Sequence, residues 1–97
     1  MARYDLYPDG GNFLLDVQAD QLDNLNTRIV VPIRLPHDAP LPARRLNPVF
    51  EIDGRQYVMV TQFASAVRSS GLDEPVGSLG HYHDRIVAAL DMLFQGF

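Results

Sequence analysis

Apolar and polar residues alternate over most of the first two thirds of this chain, and a three-to-four spacing takes over near its end. Tyr4 to Tyr7 reads as a short strand rich in aromatics. Pro8-Asp9-Gly10-Gly11 has turn chemistry, because proline fixes φ and glycine accepts φ > 0. Asn12 to Gln18 then alternates, with Phe13, Leu15 and Val17 on one face and Asn12, Asp16 and Gln18 on the other. The two runs make a hairpin. Asp20 to Thr27 is polar and reads as a loop. Arg28 to Leu35 is the strongest strand, with Ile29, Val31, Ile33 and Leu35 on one face. Pro32 cannot donate to a ladder and so marks an edge, a bulge or a bend.

Three prolines at 36, 40 and 42 make Pro36 to Arg45 an irregular surface excursion. Pro48 to Ile52 and Gln56 to Thr61 flank Asp53-Gly54, a two-residue type I′ hairpin signal. Gln62 to Val67 fits either a short strand or one helical turn. Ser69-Ser70-Gly71 and Val76 to Gly80 interrupt the pattern. From His81 the apolar positions Ile86, Leu90, Leu93, Phe94 and Phe97 fall on one helical face, with Ser78 as N-cap and Gly96 as stop. The pattern predicts an α+β, mainly β protein, one domain over residues 1–97: a small antiparallel barrel or sandwich closed by one C-terminal helix.

Composition narrows the function. Apolar residues make up 46% and charged residues 21%, as in an ordinary globular protein. There is no cysteine, which excludes disulfides and thiolate metal sites and suits a reducing cytoplasm. The N-terminus lacks the apolar segment of a secretion signal, and no run is long enough to span a bilayer, so a cytoplasmic protein is expected. The net charge is −4, and of eight basic residues only Arg44 and Arg45 are adjacent. Direct nucleic-acid binding wants clustered cations, so a protein partner with a basic patch is the better expectation.

Candidate chemistry is thin. His81-Tyr82-His83-Asp84 contains zinc-ligand types, yet on a helix positions i and i+2 diverge by about 200°. A solvated helix start, with Asp84 favoured by the helix dipole, explains the cluster better than a metal or an enzyme site. His37-Asp38 lies in the proline-rich loop without a nucleophile held by rigid structure, and the serines at 65, 69, 70 and 78 lack an elbow context. Asp16, Asp20 and Asp23 lack the glycine and glutamate of an EF-hand loop and read as solvated acids. No cofactor is expected. The tip, Leu93-Phe94-Gln95-Gly96-Phe97, stands out instead. Phe94 lies on the apolar stripe, where a core residue is the ordinary reading, but Phe97 lies past the stop. Chain ends are usually polar. An end this apolar either folds back or reaches a partner.

Taken in order, these residues resemble the CcdB-type toxins over nearly the whole chain. The shared features are Asp16-Val17-Gln18 with Asp20 and Asp23, then Arg28-Ile29-Val30-Val31-Pro32, then Leu46-Asn47-Pro48-Val49 with Ile52, then Ala64-Ser65, then the tail. The resemblance implies an SH3-like barrel with a minor sheet and a long C-terminal helix, assembled as a symmetric homodimer. It implies a toxin that wedges its two C-terminal tips between the A subunits of DNA gyrase and traps the cleaved complex. It also implies a cognate, CcdA-like antitoxin whose disordered segment folds on binding. The gyrase-binding positions carried over are Gln21, Leu22, Asp91, Phe94, Gln95, Gly96 and Phe97. Four depart from the family. Its tip tryptophan is Gln95, its apolar loop pair is Gln21-Leu22, its asparagine is Asp91 and its terminal isoleucine is Phe97. The alternative is a family member with another target, or one that no longer poisons gyrase, still bound by an antitoxin.

Overall fold

A computed structural model describes residues 1–96. Strand β1 (Asp5–Asp9) turns through Gly10-Gly11 into β2 (Asn12–Asp16). Both glycines have positive φ, 55° and 87°, so the pair makes the two-residue turn while Pro8 and Asp9 stay in the strand. Strand β3 (Thr27–Arg34) is the spine of the sheet. One of its edges pairs with β2. The other pairs first with β6 (Ser65–Arg68) along Thr27 to Val30, then with β5 (Arg55–Met59) at Ile33 and Arg34. Pro32 sits where that partner changes, and its carbonyl accepts from Val60 N at 2.9 Å. A residue without an N–H costs least at such a gap.

Strand β4 (Val49–Ile52) pairs with β5 across Asp53-Gly54, whose φ values of 53° and 79° give the expected type I′ turn. A two-residue β7 (Gly77–Ser78) pairs with β1. The sheet order is β4-β5-β3-β2-β1-β7, with β6 on the free half of β3. This sheet curls into a half-barrel, and helix α1 (His83–Gln95) packs on it through Ile86 and Ala89. The core joins Leu6, Leu15, Val31, Ile33, Phe50 and Met59 to that helix face. The small α+β barrel closed by one helix is the architecture expected from the pattern. No helix among the described residues is long and apolar enough to cross a membrane.

Several local expectations are corrected. Gln62 to Val67 resolves into both readings at once, a 3₁₀ turn at Thr61–Phe63 followed by β6. The proline-rich excursion contains one 3₁₀ turn, Pro36–Asp38, begun by its proline. Ser78 does not cap α1. Its Oγ accepts from Gly80 N at 3.1 Å, a 3₁₀ turn over Gly80–Tyr82 intervenes, and the α-helix begins at His83. Ile29 is exposed although Val31 and Ile33 are buried, and it lies on the part of β3 that pairs with β6.

The largest correction concerns the polar face of β2. Asp16 and Gln18 are buried, and so is Arg28. Asp16 therefore does not read as a solvated acid. Arg28 Nε donates to Asp16 Oδ2 at 2.7 Å, and Arg28 Nη1 donates to Asp23 Oδ1 at 3.2 Å. A buried guanidinium needs such partners, and it gathers two of the three aspartates that alternation alone would scatter.

Candidate partner-binding site at the helix tip

The tip is built from the far end of α1. Measured from Ile86 at about 100° per residue, Ala89, Leu90 and Leu93 lie within about 60° of it. Phe94 lies about 80° round, in the last turn of the helix. It is 75% exposed, so the reading of Phe94 as a core residue is overturned. Spacings of three and four put Asp91, Phe94 and Gln95 on neighbouring positions of one side. Asp91 is half-buried and Gln95 is exposed. Gly96 closes the helix as the stop that the pattern predicts. It adopts the left-handed conformation, φ 80° and ψ 13°, and its N–H bonds Met92 O at 3.0 Å. Phe97 lies outside the described residues.

Gln21 and Leu22 sit elsewhere in the fold, on a 3₁₀ turn at Asp20–Leu22 between β2 and β3. Both are exposed, Leu22 at 47%. The structure unites the four described tip residues on α1 but sets the 21–22 pair on its own loop. That loop is firmly held. Gln18 Nε2 donates to Leu22 O and to Thr27 O, each at 3.1 Å, and its Oε1 accepts from Ile29 N at 3.1 Å. Asp20 accepts from Arg3 N at 2.9 Å. Asp16 braces the loop base by accepting from Gln18 N at 3.0 Å. Burial pushes the Asp16 carboxyl above the ordinary carboxylate range, against the pull of Gln18 N–H and Arg28.

At the other end of α1, Tyr4 OH meets His83 Nδ1 at 2.7 Å, and the rings pack edge to face. Tyr4 holds a positive φ of 72° to reach there. Burial raises its phenol pKa. The two histidines beside it have separate neighbours, since His81 stacks on Tyr82 instead. Among the described residues no group of three His, Asp or Glu side chains converges as a metal site would require. His37 and Asp38 approach within 3.5 Å but stand open to solvent on their turn.

Among the described residues the site is therefore an exposed aromatic at the end of a helix, with no cluster of metal-ligating side chains around it. The CcdB protein family model matches residues 3–96. The chain belongs to the CcdB family. Membership makes it a toxin of the CcdB type, one half of a toxin–antitoxin pair. What sequence reading missed was the Asp16–Gln18–Arg28 network that fixes the Leu22 loop. Its signal was present, in Asp16 and Gln18 on alternate positions of a strand that adjoins one opening with Arg28.

Proposed function

We propose that this chain poisons DNA gyrase by inserting its helix tip against the gyrase A subunit and trapping the cleaved DNA complex. It acts as a wedge and not as an enzyme. The observation that carries this reading is Phe94, a large aromatic held out from a chain of this family at the capped end of the one α-helix among the described residues. Exposed aromatics on rigid supports are the usual anchors of protein interfaces. Asp91, Gln95, Gly96 and Phe97 surround that anchor, and Gln21 and Leu22 add a second contact. The protein works as a homodimer, which supplies two tips. Exposed Leu25, Ile29 and Phe63 support a further apolar interface on so small a barrel. A cognate antitoxin neutralises it, in the cytoplasm where gyrase works.

One observation favours a second reading. Gln95 stands exposed at the tip and offers an amide in place of a ring face. Loss of an aromatic contact removes cation–π attraction of about 0.5–2 kcal/mol, so a retargeted or non-poisoning family member is the alternative. A gyrase cleavage assay with ATP and supercoiled DNA decides between them. Trapped double-strand breaks from the natural sequence support poisoning. Breaks only with Gln95→Trp support a tip that has lost its contact. No breaks from either form would sink the gyrase reading.

A further inference from the structure

The curled sheet leaves a gap where its two ends approach. Strand β4 stands at one end and β7 at the other, with no pairing between them among the described residues. A cavity of about 390 Å³ occupies that gap. One wall is Glu51, Ile52 and Asp53, from the end of β4 and its turn, and the facing wall is the segment from Val76 to Leu79 around β7. Small-molecule sites commonly enclose roughly 300–1,000 Å³, with an apolar lining and a few placed polar groups.

The cavity is preformed. Val76 N donates to Leu6 O at 2.8 Å and Leu79 N donates to Tyr4 O at 2.9 Å, which fastens the β7 wall to β1. Leu79 is buried in the core, and Phe13 and Ile52 pack against that core. The Phe13 ring is fixed edge to face on Tyr57, centroids 5.2 Å apart. The opposite wall is set by the turn, where Asp53 holds a φ of 53°. A ligand would therefore meet an apolar floor that is already in place.

The rim decides the charge of that ligand. Glu51 and Asp53 line the cavity, and no arginine or lysine does. Among the described residues neither carboxylate pairs with a base or accepts a hydrogen bond that would occupy it, although β5 carries Arg55 close by in sequence. Anions are repelled from such a rim. A bare metal ion is not suited either, because no group of three His, Asp or Glu side chains converges among the described residues. Two residues of extended chain separate Glu51 from Asp53 by about 7 Å, the reach of a short alkyl diamine. We propose that the cavity binds a free organic dication of the alkyl diamine class. One ammonium, with its three N–H donors, meets each carboxylate, and the methylenes between them lie on Phe13, Ile52 and Leu79, as the stem of a lysine lies on apolar surface. None of these residues belongs to the helix tip, so the proposal goes beyond gyrase poisoning and stands or falls without it.

The test is a titration of the isotope-labelled full chain with cadaverine, followed by amide resonances. Saturable shifts at Phe13, Glu51–Asp53 and Val76–Leu79 are expected. Affinity should fall roughly two- to thirtyfold in Glu51→Gln/Asp53→Asn, the range that two part-exposed ion pairs supply. Circular dichroism checks the fold of that variant, and asparagine accepts the positive φ at position 53. Unchanged affinity in the variant would overturn the proposal. Equal binding of the neutral pentanediol of the same length would overturn it in favour of a plain apolar slot, and equal shifts with magnesium chloride in favour of a plain acidic patch. A lysine tripeptide that binds more tightly than cadaverine would replace the free amine by a basic side chain of a partner and so overturn it. Shifts confined to other residues, or no saturable shifts, would overturn it outright.

Discussion

Arg28 and Asp16 face each other from β3 and β2 with neither side chain meaningfully in contact with solvent, Nε to Oδ2 at 2.7 Å. Arg28 Nη2 lies equally near the same oxygen but out of line for a hydrogen bond. Such a pair contributes little when compared with an apolar core, yet losing one partner strands a buried charge at about 3–5 kcal/mol. Arg28→Met should destabilise the chain by that order in urea denaturation, and Asp16→Leu added to it should restore much of the loss. If Arg28→Met alone unfolds at the natural midpoint, the pair is not what organises the 20–27 loop.

The same carboxylate sets a pH signature. Burial raises Asp16 above its ordinary value of 3.8. Just above that pH the folded chain keeps a proton that the unfolded chain has released, so Asp16's share of stability is full below 3.8 and is lost as pH rises through the folded value. The stability difference between the natural chain and Asp16→Asn should therefore fall as pH rises from below 3.8 through the folded value. A difference that rises over that window would mean that Arg28 overcomes burial.

Much of the fold was legible because its turns are local. Gly10-Gly11 and Asp53-Gly54 fix their hairpins by backbone conformation alone, and Gly96 stops α1 for the same reason. The buried face of β2 was not legible, because Asp16 and Gln18 look like solvent residues until Arg28 is placed beside them. The fate of Phe94 was hidden similarly. Periodicity places it on the apolar stripe, but in the last turn of the helix, about 80° round from Ile86, it stands exposed.

The hydrogen bond between Tyr4 OH and His83 Nδ1 ties the first residues of the chain to the first turn of α1. Tyr4→Phe keeps the ring packing and removes one hydrogen bond, a loss of about 1 kcal/mol. It should shift the thermal midpoint down by a few degrees, since a domain of this size loses roughly 4–8 °C per kcal/mol. An unchanged midpoint would show that edge-to-face packing alone carries this contact.

The sharpest prediction separates folding from function at the tip. Phe94 is 75% exposed, so Phe94→Ala removes little buried area and should leave the unfolding free energy in urea denaturation within about 0.5 kcal/mol of the natural chain. Ile86→Ala, a fully buried position on the same helix, should cost about 2–5 kcal/mol. Trapping of gyrase should respond in the opposite way: Phe94→Ala should lose the cleaved complexes although the protein is as stable as before. A variant that is both stable and fully active would remove Phe94 from the contact. A variant that unfolds would mean that Phe94 is buried against something in the working protein. Sedimentation beside the melting curve tells which, because only a covered dimer face would also change the oligomeric state.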